Sequence, residues 1–588
     1  MTGSSLTMDS SLCERRQILN PKHPCRARSL PGTTACLAHT QNLEQVIAQL
    51  GEDANDLLLV QNLDINNALL TILLAHQATL GTDFLGATFT DSANFLGVTF
   101  TGTASFEGTT FTGIADFATA TFTSDALFRK ATFTGTANFG GTVFTGDARF
   151  RGAKFTGAAD FARATFVGDA DFGHVAFTSA NFFGATFKET ADFRRANFTD
   201  TAIYMGAAFS NAAMFGEATF TGANFSWAAF ARTASFRAAT FGTGANFASA
   251  TFTDTANFSG VTFSSVANFH GAAFTSAADF SVNPSSCAID LSRVTFGSGV
   301  AIVTSGALLL NQLLIRDLLT VTADGPQAAI VSLQKSTLEA PVIIGDGVSL
   351  AECALSYATG LDNLRVLGTN PWGEYRRRQA IIDEPRRVGY LRRIGTHLRR
   401  KPTAGETSII AAPASPRYEQ VESSYRQLRS ALESSKDYAG AADFYYGEME
   451  MRRLGARRWS IERPLLLWYK ILAGYGLRAY RACATYLAVV FGLAALLHWR
   501  TRNLVVLEAV INPDGKRVEV AKAAGSAGLH FERFWDCVAI AFRSTVSFLS
   551  PVTDGLTGSG TMLFLVAKIA GPVLLGLSAL ALRSRVQR

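Results

Sequence analysis

Three groups of side chains in this 588-residue chain have the types and spacing to do chemistry. The first is Cys13, Cys25, Cys36 and His39, which ends in a Cys-x-x-His. Thiolate and imidazole ligands in so small a piece suit a four-ligand zinc knuckle, so zinc is the one cofactor the sequence suggests. The gaps between the cysteines are long, and the same residues also read as three unpaired thiols in a proline-containing arm. The second group is Asp443, Glu448 and Glu450 in Ala-Ala-Asp-Phe-Tyr-Tyr-Gly-Glu-Met-Glu-Met-Arg-Arg (441–453). General acid–base work would need a histidine, lysine or second carboxylate cluster beside them, and the sequence places none there, so a solvated or salt-bridged face is expected. The third is the set of pore-like residues Asp536, Arg543, Ser544 and Thr545, the only place where transport chemistry fits. No nucleophile–base pair, glycine-rich phosphate loop or His-Glu-x-x-His pattern occurs, so an enzyme is not expected.

Two apolar runs hold the third group. Ala482–Trp499 carries no formal charge, and Thr561–Leu582 carries only Lys568. Both read as transmembrane helices; the second is ample for the ~30 Å of a bilayer's hydrocarbon, the first slightly short of it. Gly571-Pro572 should kink the second. Trp468, Tyr469, Tyr475 and Tyr480, mixed with Lys470 and Arg478, have the aromatic-plus-basic character of a membrane interface. Basic residues crowd the approach to the first run (Arg452, Arg453, Arg457, Arg458, Arg463) and follow the second (Arg583, Arg585, Arg588). By the positive-inside rule both ends lie in the cytoplasm, which makes a multi-pass protein of the cell membrane with the bilayer as a partner.

Lying between two spans, Phe534–Leu549 resembles the pore helix of two-span ion channels. That family's Gly-Tyr-Gly filter is absent: Ser547-Phe548-Leu549-Ser550-Pro551 stands in its place, and Arg543 would repel cations. The resemblance implies an oligomeric channel with a divergent pore and hence a homo-oligomer. The alternative is an interfacial helix or a relic pore loop tethered between spans.

Ahead of the helices lies a far longer pattern. From Phe84 to Phe280 phenylalanine returns every five or six residues, through thirty-seven centres of which only Tyr204 is not phenylalanine. The alternation of five and six gives an 11-residue unit, as in Ala93–Thr103 (ANFLGVTFTGT), and the register slips by one residue near Phe182 and Phe225. Neither a helical nor a strand period fits. A short fixed period means a solenoid whose units cannot bury an apolar face alone. Within a unit, alanine and phenylalanine at i−2 and i point inward, the residue between them points out, and a small residue turns the corner. Phe95, Phe106, Phe117, Phe128, Phe139, Phe150 and Phe161 are therefore expected in the core.

These units resemble the pentapeptide-repeat family. The resemblance implies a right-handed, quadrilateral β-helix, here with about 22 residues per coil because of the extra residue at every second corner. The helix pair around 441–453 resembles the juxtamembrane pair found in bacterial pentapeptide-repeat proteins fused to C-terminal membrane segments.

The chain then divides as follows: 1–42 a cysteine-containing arm without signal-peptide shape, 43–80 an N-terminal cap, 81–280 the β-helix, and 281–370 a less regular continuation. Residues 371–417 read as a basic and proline-rich linker, 418–481 as juxtamembrane helices, and 482–588 as a membrane domain of two transmembrane helices with the pore-helix-like segment between them. Residues 81–280 hold 15 acidic and 11 basic residues, a mild excess of acid. Some family members mimic DNA and bind topoisomerases, but mimicry needs a dense acidic stripe. Nucleic acid is not an expected partner of the basic segment either, because charge runs are usually solvated. The expectation is a membrane-anchored scaffold or protein-interaction module with an unidentified protein partner.

Overall fold

The computed structural model describes residues 83–283, 287–325, 328–367, 371–375, 378–384, 417–457, 459–500, 506–511 and 517–522, together with 64–65, 70–71 and separate helical positions between 534 and 579. Cys13, Cys25, Cys36, His39, Asp536, Arg543 and Ser544 lie outside these residues. Two units make up the chain, Met1–Ser415 and Pro416–Arg588.

The first unit is mainly β, a parallel solenoid with four short strands per coil. The first coil shows the plan: Thr88–Phe89, Ala93–Asn94, Thr99–Phe100 and Ala104–Ser105 form the first, second, third and fourth faces. Each strand pairs in parallel with the strand 22 residues on, Thr88 with Thr110 and Ala104 with Ala126. The extended pair in each strand buries one residue and presents the other, which is how a period of two survives inside a period of eleven. On the fourth face 13 strands stack from Ala104–Ser105 to Leu364–Val366. At ~4.8 Å per strand this stack is roughly 60 Å tall.

The two slips in the sequence have a physical address. Along the first-to-second corner the strands run through without a break as Lys154–Asp160, Ala176–Asn181, Asn197–Ile203, Thr219–Asn224 and Thr240–Asn246. Two of the five have six residues instead of seven, and the register shifts lie at this corner, between Phe177 and Ala180 for instance. The lost residue is absorbed where no ring has to move.

Phenylalanine fills the interior in four columns. Phe139 stacks on Phe117 at 4.9 Å and on Phe161 at 4.7 Å, with ring planes within 1°. It meets Phe150 of the facing column edge-on at 5.4 Å and 89°. Coil spacing equals a good stacking distance, so one residue type satisfies the column indefinitely. The expected core residues, Phe95 through Phe161, are all fully buried. Each contributes about 1.5–3 kcal/mol from burial.

The outward positions are less free than the pattern alone implies. Asp116, Asn138, Asp160 and Asn181 form a ladder on the second face. Asn138 Nδ2 donates to Asp116 Oδ1 at 2.9 Å, and Asn181 Nδ2 to Asp160 Oδ1 at 3.0 Å. The same oxygens accept the amide two residues on, such as Ala162 N–H at 2.9 Å, and so fix the corner. Threonines after the ring, such as Thr134, donate to carbonyls of the previous coil (Thr112 O, 2.9 Å).

Beyond Phe280 the coils become uneven: Val300 pairs with Leu319 and Leu319 with Val342, steps of 19 and 23 residues. Aliphatic side chains replace the rings, and the fixed period goes with them. Residues 371–375 and 378–384, assigned from sequence to the linker, instead fold onto the last coils. Pro371 O accepts from Leu350 N–H at 2.7 Å, and the buried Asp383 accepts from Leu355 N–H and Ser356 Oγ. The signal that hid this closure was the run of arginines: Arg378 is buried against Glu384 rather than solvated.

The second unit opens with four helices, α1 (Tyr418–Ser434), α2 (Tyr438–Gly455), α3 (Glu462–Ala473) and α4 (Ala479–Arg500). An antiparallel strand pair, Val506–Ile511 with Arg517–Lys522, follows. Among the described residues no helix is long and apolar enough to cross a membrane. In α4, positions 479, 482, 497 and 500 are described in backbone only.

Candidate functional site

The most chemically loaded place in the second unit is the junction of α2, α3 and the turn into α4. Asp437 caps α2, its carboxylate accepting from Gly440 N–H at 3.0 Å, and Arg452 and Arg453 end the helix, complementing its dipole. α1 lies against α2 through Tyr425, whose ring is edge-on to Phe444 at 5.6 Å. A Cβ on Gly447 would stand 2.5 Å from that ring, so only glycine lets the two helices meet. The Tyr-Tyr-Gly-Glu of the motif thus has a packing reason.

Both glutamates of the motif are buried. Glu448 pairs with Arg426 (3.0 Å) and Arg429 (3.2 Å) from α1. Glu450 accepts from Arg453 Nη2 at 2.7 Å, from Lys470 Nζ of α3 at 2.9 Å and from Tyr475 Oη at 3.0 Å. This corrects the sequence reading that no lysine converges on these carboxylates. Lys470 lies 20 residues away on another helix, a distance at which spacing carries no signal. Burial alone would push the Glu450 carboxyl up; hydrogen bonds and charge from Arg453 and Lys470 outweigh it and hold the group at about 2. Burial, and then the Glu450 charge, push the Tyr475 phenol well up. The site therefore holds a permanent carboxylate and a permanent phenol at neutral pH. That arrangement anchors helices and offers no proton to exchange.

Tyr475 sits in a tight turn, Gly474-Tyr475-Gly476, in which all three residues are left-handed with φ of 54°, 59° and 79°. A Cβ on Gly476 would meet Tyr469 Oη at 2.6 Å. Tyr475 also meets Tyr446 and Tyr469 edge-on at 5.1 and 5.7 Å. The aromatic residues assigned from sequence to a membrane interface thus split: Tyr475 is buried, while Trp468 and Tyr480 are exposed.

Of the pore-like residues only Thr545 is described. It is buried, its hydroxyl lies 3.0 Å from Tyr486 Oη of α4, and it donates to Phe542 O at 2.8 Å. A Cβ on Gly571 would stand 2.4 Å from Thr545 O. Tyr486, Val490, Ala494 and Ala541 form one apolar cluster with Phe534, Val538 and Leu575 around it. The segment read as a pore helix, α4 and the last helical positions are therefore packed together. Among the described residues no group of histidine, cysteine, aspartate and glutamate could hold a metal ion.

A family model described as pentapeptide repeats (9 copies) matches residues 106–154, 139–186, 150–197 and 215–262. No curated protein and no solved structure matches the chain. The matched residues are those whose parallel strands carry the phenylalanine columns and the Asx ladder, so over 106–197 and 215–262 the pentapeptide repeats and the β-solenoid coincide.

Proposed function

We propose that this protein is a membrane-anchored scaffold. Its solenoid is a non-catalytic surface for a protein partner, held on the cytoplasmic side by two spans near Ala482–Trp499 and Thr561–Leu582. The observation that carries the reading is the apolar surface left uncovered on α3 and α4. Leu465, Trp468 and Ile471 on α3 and Leu487, Phe491 and Trp499 on α4 are between 40% and 68% exposed. Water would penalise so many large apolar side chains on two consecutive helices, whereas lipid would not. Tryptophan and tyrosine beside arginine, as at Trp468, Tyr480 and Arg481, suit the headgroup level. The described residues alone supply no spanning helix, so the span rests on the uncharged stretch Ala482–Trp499 together with this exposure.

The Glu450 junction fits the same role. It fixes α3 to α2 by buried charge rather than by apolar contact, leaving the apolar side of α3 for the bilayer. Scaffold is preferred to channel because Thr545 is used in packing against Tyr486 and the filter sequence is lacking. Membrane fractionation of the full chain with alkaline washing tests the anchor: the protein should stay with the membranes. Reporter fusions at the C-terminus and within 500–533 should then give opposite signals. Release by the wash, or like signals from both fusions, would overturn the two-span reading.

A further inference from the structure

The solenoid carries a cleft of about 470 Å³ at the corner between its fourth and first faces. Arg151, His174, Arg194, Arg195, Glu217 and Arg237 surround it, with Gly216 and Ser235 at its base. The sequence spreads 11 basic residues along 81–280, with an acidic excess overall. Folding gathers seven of them, Arg129, Lys130, Arg149, Arg151, Arg194, Arg195 and Arg237, on the fourth face and the corner that follows it.

The cleft arises from an alternation. The residue after the fourth-face phenylalanine is, in five successive coils, Arg151, Gly173, Arg194, Gly216 and Arg237. Coils repeat at ~4.8 Å, so arginine backbones stand about 10 Å apart with a glycine floor between each pair. The slot above Gly173 is filled, since Arg151 Nη1 lies 3.1 Å from where a Cβ would be and 3.7 Å from Asp171. Above Gly216 the nearest atoms are 3.6 and 3.9 Å away, and the slot is open between Arg194 and Arg237.

The charges around this slot are poised to accept an anion. The Arg237 side chain makes no hydrogen bond or ion pair among the described residues, and its charge helps hold the Glu217 carboxyl below its usual range after the larger effect of Arg195. Arg195 pairs only with Glu217, at 2.9 Å, both side chains more than half exposed, which is a contact of little net worth. Arg194 is tied to Asp192 at 2.6 Å and so is held in place at the slot's edge. His174, Arg195 and Glu217 occupy a left-handed corner position (φ of 58°) that Lys130 and Ala238 share and where other coils have Gly108, Gly152 and Gly260.

We propose that this cleft binds the phosphate or diphosphate group of a small molecule. Arg237 and Arg194 would bracket it, Arg195 would exchange Glu217 for the ligand, and Ser235 would donate from below. The proposal goes beyond the scaffold reading and does not depend on membrane attachment. Isothermal titration of the full chain with inorganic phosphate and with inorganic pyrophosphate tests it. Saturable binding at one site per chain is expected, with a Kd below about 1 mM. Arg237→Ala should weaken it about tenfold, the effect of losing one charge-assisted hydrogen bond. Gly216→Leu should abolish it by filling the slot; this variant is expected to fold because Glu107 and Arg129 occupy the equivalent position in other coils. Arg232→Ala, on a different corner, should change nothing. Tighter binding of pyrophosphate assigns a diphosphate ligand, and equal binding assigns a single phosphate. Absence of saturable binding, or binding that survives both Arg237→Ala and Gly216→Leu, would overturn the site.

Discussion

The two units bury their most consequential groups in opposite ways. From Phe84 to Phe280, each coil stacks one aromatic ring on another, and no charged side chain of that stretch is buried. At the α2–α3 junction, a buried carboxylate, guanidinium and phenol meet the ammonium of the half-buried Lys470. The first arrangement is redundant: a coil's neighbours present the same surface, so stability is a sum of similar interfaces. The second is not. Each member of the junction hydrogen-bonds to Glu450, so removing that carboxylate takes a partner from Arg453, Lys470 and Tyr475 at once. Redundancy makes a sequence legible, and mutual dependence makes it opaque.

The largest effect should come from inserting the second kind of chemistry into the first. Phe161→Asp places an unpaired carboxylate between Phe139 and Phe182, stacked on it at 4.7 and 4.9 Å. Loss of the ring costs about 3–5 kcal/mol before the charge is counted. Hydrogen exchange on the full chain should show protection lost across the coils around Phe161. The neighbouring Asp160→Ser should cost only about 1 kcal/mol, through the two hydrogen bonds its oxygen accepts. Equal losses from the two changes would break the distinction between inner and outer positions.

How much was legible follows the same division. The period of eleven identified the solenoid, its inward rings and even the two slips, because Phe177-to-Phe182 and Phe220-to-Phe225 spacings are visible as letters. The closure by 371–375 and 378–384 was hidden because Arg378 and Asp383 read as surface charge, and their burial depends on partners elsewhere in the chain. Glu450 was visible as a carboxylate on a helix, but Lys470 and Tyr475 reach it from 20 and 25 residues away. The arginine cleft escaped for a related reason. Charge counted along the chain averages over corners, whereas folding sorts it by corner.

Breaking the junction should be the next largest effect. Glu450→Ala strands the buried Arg453 and removes a partner of the half-buried Lys470, and should cost about 3–5 kcal/mol. The same group predicts a pH dependence. Its carboxyl is lowered from 4.5 to about 2 in the folded state, so its stabilisation is complete above pH 4.5 and is lost as pH falls through about 2. Helical content of the full chain should fall in that window, and Glu450→Gln should flatten the dependence. An unchanged acid transition in Glu450→Gln would remove the junction from the account.

Between the two extremes stands a steric test of the helix pair. Gly447→Ala puts a methyl group 2.5 Å from the Tyr425 ring, which α1 and α2 can relieve only by separating. Overpacking of this kind costs typically 1–3 kcal/mol. Combining it with Tyr425→Leu should recover part of the loss, since the obstructing ring is gone. Recovery would be read from the midpoint of helix unfolding in urea. Failure of the double variant to recover any of it would mean that Gly447 matters for something other than that contact.

The smallest effect has the opposite sign and tests redundancy from within. Tyr204 is the one centre that departs from phenylalanine, stacked between Phe182 at 4.8 Å and Phe225 at 4.7 Å like any other ring in its column. Its hydroxyl is buried with no hydrogen-bond partner among the described residues, and burial pushes its pKa well up. Leaving a hydroxyl unsatisfied costs about 1–3 kcal/mol, whereas the ring itself does the same work with or without it. Tyr204→Phe should therefore stabilise the solenoid by about 1 kcal/mol, seen as a higher denaturant midpoint with an unchanged slope. If Tyr204→Phe instead destabilises the coils, the hydroxyl is satisfied by a buried water. The column would then contain a polar dependence of the kind seen at Glu450, and the contrast between the two units would be one of degree.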